Sequence, residues 1–143
     1  MTFKSLFSAA SLILLAGAPM AFASGAPGTW AMKNGKVIVR VTDCGSGLCG
    51  RIVALKEPIS KIDGKPKIDR ENPDPSLRTR PLIGLSILVG MKAAGEGQWK
   101  GAIYNPDDGK TYTGSVKLEG GTMKVQGCVL KMFCKTNTFV RVN

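Results

Sequence analysis

Trp99-Lys100-Gly101-Ala102-Ile103-Tyr104-Asn105-Pro106-Asp107-Asp108-Gly109-Lys110-Thr111-Tyr112-Thr113-Gly114-Ser115-Val116 reads as one antiparallel hairpin. Its turn runs from Asn105 to Lys110, where Pro106 presets φ and Gly109 takes the left-handed position. Side chains alternate across a strand, so the flanks place Trp99, Gly101, Ile103, Tyr112, Gly114 and Val116 on one face. Inward glycines such as Gly101 and Gly114 suit the sharp bends of a sheet that closes on itself.

The same period of two extends to both sides. Val37, Val39 and Val41 alternate with Ile38, Arg40 and Thr42, which marks a half-buried strand. With Cys44 set opposite Cys49, Val41 faces Ile52 and Val39 faces Ala54. Near the carboxyl end, setting Cys128 opposite Cys134 puts Met123, Val125, Phe139 and Arg141 on one face, and Lys124, Gln126, Thr136 and Thr138 on the other. Both cystines then lie on the polar side. The segments near Gly28–Met32 and Ile83–Met91 bring the total to about eight strands, and no stretch of helical period is long enough to cover a sheet. The fold expected is all-β, a single small antiparallel up-and-down barrel that removes its edges by closure. Between Glu57 and Arg80 there are four prolines, many charges and no periodicity. This predicts one long loop over a mouth of the barrel, with a short helical turn at Pro75–Thr79.

The amino terminus reads differently. Lys4 is followed by an uncharged stretch from Leu6 to Ala18, and Ala21-Phe22-Ala23 is the small-x-small pattern accepted by signal peptidase. As a helix the apolar stretch spans about 20 Å, short of the roughly 30 Å hydrocarbon core, so a leader is expected rather than a membrane anchor. Residues 1–23 are therefore expected to be a signal peptide cut after Ala23, and 24–143 one exported domain, periplasmic or secreted and not membrane-spanning. All four cysteines, Cys44, Cys49, Cys128 and Cys134, lie in that domain. An oxidising compartment makes disulfides the default, and the close spacings fit two local bridges, Cys44–Cys49 and Cys128–Cys134, across hairpin necks. The spacings differ from the usual zinc-binding pairs, and no metal site is expected.

The chain carries 20 Lys and Arg against 10 Asp and Glu. The basic residues are scattered, with no run and no basic helix, which reads as a solvated basic surface; no nucleic-acid partner is expected. Histidine is absent. That removes the commonest general base, the Ser-His-Asp triad and the usual zinc ligand together, so neither an enzymatic role, a catalytic residue nor a cofactor is expected. Asp63, Asp69, Glu71 and Asp74 gather in the long loop beside Arg70, Arg78 and Arg80, which is the ordinary composition of a wet loop. Asp107-Asp108-Gly109 is explained by its turn rather than by calcium.

Gly28-Thr29-Trp30, Leu48-Cys49-Gly50-Arg51-Ile52, the run from Asn72 to Leu85 and the run from Trp99 to Tyr112, taken in order, resemble a bacterial family of exported proteins known as domain of unknown function 2147. The resemblance implies a lipocalin-like β-barrel and names no activity. A second resemblance, to lipocalins at large, rests on Gly28-Thr29-Trp30 and Arg141: there a first-strand Trp packs under a last-strand Arg. It implies a structural role for Trp30 and Arg141, a guanidinium over an indole face that also bonds backbone carbonyls at the barrel base.

Two functions follow as expectations. The first is a non-enzymatic envelope protein binding a small apolar or amphiphilic ligand in the barrel. Trp99, Ile103 and Tyr112 would form the apolar wall, and Arg78 and Arg80 would meet an acidic headgroup at the mouth, although salt bridges from these arginines to Asp69 or Asp74 are the plainer reading of the pair. The alternative is an envelope structural or interaction module with a filled barrel, meeting an anionic partner through its basic surface. Residue type does not separate them, because eight strands enclose just enough space either to fill with side chains or to hold one small ligand.

Overall fold

A computed structural model describes Gly17 and residues 25–45 and 47–142. The expected signal peptide, apart from Gly17, lies outside the described residues. Eight strands follow one another around a closed barrel in chain order. They are β1 (Gly28–Met32), β2 (Val37–Cys44), β3 (Gly47–Leu55), β4 (Ser86–Gly95), β5 (Gln98–Asn105), β6 (Lys110–Glu119), β7 (Thr122–Val129) and β8 (Phe133–Arg141). Every neighbouring pair is antiparallel, and β1 pairs with β8 to close the ring. The barrel is therefore a meander whose edges are all satisfied. The expected helical turn is a 3₁₀ turn at Pro75–Leu77, with Asp74 accepting from the Ser76 N–H as its cap. No helix among the described residues is long and apolar enough to cross a membrane.

The hairpin from Trp99 to Val116 has the register its sequence implies, with Ile103 opposite Tyr112, Gly101 opposite Gly114 and Trp99 opposite Val116. Cys128 pairs directly with Cys134, and Met123 with Phe139, again as expected. The β2–β3 register differs. Cys44 pairs with Gly47 and Cys49 with Thr42, so the bridge between Cys44 and Cys49 runs diagonally, with a Cα–Cα distance of 5.7 Å. Val41 consequently faces Gly50 and Val39 faces Ile52, and a bulge between Ile38 and Val39 shifts the register only beyond them. The reason is a tighter turn than the one assumed. Because the slip is an even number of residues, Val39, Val41 and Ile52 keep their inward face.

Inside, the two halves of the barrel differ. At the end holding the start of β1 and the finish of β8, Trp30, Val41, Leu48, Met91 and Val116 are all buried to 2 % exposure or less and fill the interior. Trp30 Nε1 donates to Ala26 O at 2.8 Å. The Arg141 guanidinium lies 4.2 Å from the centre of the Trp30 ring and donates to Pro27 O at 2.9 Å and Gly25 O at 2.5 Å. Arg141 thus ties the last strand to the segment leading into the first, the role the lipocalin resemblance implied for it. The base is closed by packing and by these bonds.

Candidate functional site: a cavity in the upper barrel

Above the packed base lies a cavity of about 1060 Å³. Leu88, Val39, Met123 and Phe139 are shared between core and cavity and form its floor. Val37, Ile52, Ile103, Tyr112 and Val125 line the wall. The rim changes character, with Lys36, Lys56, Lys67 and Lys135 beside Asn34, Glu57, Asp107 and Asp108. An apolar interior under a polar, mostly cationic rim suits a molecule with an apolar body and a polar end. Space is made in part by Gly114: a β-carbon there would stand 2.1 Å from Ile103 Cδ1, so its absence lets the Ile103 side chain lie back along the wall.

Ile103 and Tyr112, both expected at the wall, face each other across β5 and β6 and both border the cavity. The Tyr112 hydroxyl donates to Asp108 at the rim. That bond, with burial and the neighbouring charge behind it, raises the Tyr112 pKa. Burial alone would raise the Asp108 pKa, but hydrogen bonds from Tyr112 and the Lys110 N–H outweigh it, and the carboxyl stays below its ordinary range. Trp99 is placed elsewhere. It lies lower on β5, beside the fully buried Val116, and packs against the filled half.

Arg78 and Arg80 do not border the cavity either. Arg78 Nε donates to Asn72 O at 2.7 Å. Arg80 is committed to Asp69, through Nε at 2.8 Å and Nη2 at 2.7 Å, both to Oδ2. The Arg80–Asp69 pair is one of the salt bridges the sequence allowed, and it belongs to a buried network whose Tyr104 and Asn72 members the sequence did not reveal. Asp69 is 0 % exposed; its Oδ1 accepts from Tyr104 Oη at 2.5 Å, and its Oδ2 also accepts from Asn72 Nδ2 at 2.8 Å. Asn72 Nδ2 reaches Tyr104 Oη at 3.0 Å, and the Arg80 guanidinium lies 5.6 Å from the Tyr104 ring centre. Burial pushes the Asp69 pKa up, yet the bonds from Tyr104, Asn72 and Arg80 and the guanidinium charge hold it below the usual carboxylate value. Tyr104 is shifted upward, by burial first and then by its bond to Asp69.

Successive residues of a strand point to opposite faces, so Tyr104 lies on the face away from Ile103. The network therefore fastens the long loop at the side of the barrel, next to the β5–β6 turn. Lys67 and Leu82 of the β3–β4 connection border the opening, while Asp69–Asn72 is latched beside it rather than drawn across it. Of the other loop carboxylates, Asp63 pairs with Arg70 at 3.0 Å, and Asp74 caps the 3₁₀ turn.

A closed eight-stranded meander with a packed base, an Arg-over-Trp closure and an open upper cavity defines a lipocalin-type barrel. Residues 28–141 match the family model "Uncharacterized protein conserved in bacteria (DUF2147)", and the chain belongs to that family. Among solved structures it is similar to protein HP1028 from the human pathogen Helicobacter pylori, described as belonging to the lipocalin family. The TM-score is 0.68, the identity 25 %, and 82 % of each chain is covered. No curated protein sequence matches the chain.

Proposed function

We propose that this protein is a non-enzymatic binder of a small apolar or amphiphilic molecule, working in the cell envelope after removal of residues 1–23. The observation that carries the reading is the cavity of about 1060 Å³ above the packed base. It stands at the upper end of the roughly 300–1000 Å³ range of ligand pockets. The absence of histidine and the engagement of the buried Asp69 in the loop latch support a non-catalytic role. The rim lysines Lys36, Lys56, Lys67 and Lys135 take over the headgroup role first given to Arg78 and Arg80. Two disulfides, Cys44–Cys49 and Cys128–Cys134, fit an oxidising compartment. The filled barrel on which the interaction-module alternative rested is not what the upper half contains.

The test is native mass spectrometry of protein purified from its own envelope, followed by thermal-shift titration with fatty acids of graded chain length. Val125→Phe, which occupies cavity space, should weaken the shift at least fivefold. A protein that carries nothing, and whose melting temperature no amphiphile moves, would falsify the binder reading.

A further inference from the structure

The β7–β8 hairpin ends in Val129-Leu130-Lys131-Met132-Phe133, and its apolar side chains are turned to solvent: Leu130 is 79 % exposed, Met132 78 % and Phe133 70 %. Leu130 and Lys131 also stand at φ 54° and 58°, the left-handed pair of a tight hairpin turn. Asn-Gly makes that turn with little strain, whereas an L side chain there costs on the order of 1 kcal/mol. Neither the turn nor the core gains from a leucine at this position. Its usefulness lies outward.

We propose that this hairpin tip docks the barrel, mouth first, onto an anionic lipid bilayer. Leu130, Met132 and Phe133 enter the interfacial layer, while Lys131 and Lys135 meet acidic headgroups. An apolar cluster flanked by cations is the chemistry that binds such an interface, since buried apolar area and attraction to anionic lipid add together. The rim lysines Lys36, Lys56 and Lys67 face the same side and balance Glu57, Asp107 and Asp108, so Lys131 and Lys135 leave the mouth net cationic. The Cys128–Cys134 bridge closes the hairpin just behind the tip and holds it as a fixed wedge. Val129, Met132 and Phe133 also border the cavity, so the tip and the interior form one continuous apolar surface. An amphiphile's route along that surface rests on the binder reading; the docking itself does not.

Flotation with vesicles of phosphatidylglycerol and phosphatidylcholine, against vesicles of phosphatidylcholine alone, decides the matter. The protein should float with the anionic vesicles, and binding should weaken with salt. Leu130→Asn with Lys131→Gly restores the relaxed turn, so this variant folds at least as well. It should lose about tenfold or more in vesicle affinity, and Met132→Ser should add to the loss. Flotation that this variant leaves unchanged overturns the proposal, because attraction through other basic faces then explains it. So does concentration-dependent self-association without flotation, which makes the tip a contact between copies. If no amphiphile enters the cavity but the tip variant still loses vesicle binding, docking stands and only the binder reading falls.

Discussion

Asp69 is a wholly buried carboxylate whose neighbours all donate to it, and its sign under acid follows directly. Its folded pKa is lowered, so its contribution to stability is complete above the unfolded value near ~3.9 and is lost as pH falls through the folded value. Asp69→Asn should therefore destabilise the protein at pH 7 by about 2 kcal/mol, since the amide leaves the Arg80 charge unpaired and, with its oxygen kept toward Asn72 and Arg80, puts an N–H donor where Oδ1 accepts from Tyr104. The gap to the wild type should narrow as pH drops below about 4. Urea-unfolding midpoints for both proteins between pH 2.5 and 7 check this. Curves that stay parallel throughout would show that Asp69 is not the titrating partner. The exposed carboxylates of Asp63, Asp74 and Glu119 are also lowered, by hydrogen bonds chiefly from Lys65, Ser76 and Lys124 respectively, and their acid loss cancels in the difference. Tyr104 shows how a residue of this network was readable. It is an aromatic on the polar face of an alternating strand, and such a residue asks for something to cover it. Which element supplies the cover was not readable, because Asp69 lies 35 positions away along the chain and no local periodicity links them.

Among the elements, hairpins were legible where chemistry fixes the turn. Pro106 and Gly109 pin β5 to β6, and that register followed from the sequence; Ile103 and Tyr112 then fell on the cavity wall from alternation alone. The Gly45–Gly47 stretch holds no such instruction. Two cysteines there bridge diagonally as readily as face to face, so their spacing left the register open by two residues. The long loop carried charge without period, and its arginines could be assigned only once their partners were in view. Gly109 joins the turn to that loop: it sits at φ +69°, and a β-carbon would stand 1.8 Å from Glu71 O. Gly109→Ala should lower stability by more than about 2 kcal/mol and release the loop, so that trypsin cuts among its Lys and Arg residues under native conditions. Gly120→Ala is the control. It has a similar φ of +59° but nothing within 4 Å, and should lose only about 1 kcal/mol with the loop still protected. Equal protease sensitivity in the two variants would dissociate Gly109 from the latch.

For the whole molecule, sequential antiparallel pairing leaves a single distant contact, β1 with β8, to complete the ring. Arg141, Trp30 and the Gly25 and Pro27 carbonyls secure that seam. Export is a property of the entire chain, and intact mass reads it. Mature protein should begin at Ser24 and weigh four hydrogens less than its reduced sequence, by intact mass without reductant. A retained leader or free thiols would contradict it. The placement of the seam also gives the barrel a direction. Gly28 and Arg141 both stand at the base, so chain on either side of the barrel departs from the pole opposite the mouth. Strands of eight to ten residues, tilted as a barrel requires, set those poles roughly 25 Å apart. The four residues Ser24–Pro27 between Ala23 and β1 reach at most about 14 Å. A leader still embedded in a bilayer would thus moor the molecule by its base, with the opening and the hairpin tip aimed away from the lipid. Proteolytic removal of such a leader would do more than free the protein; it would let the barrel turn over.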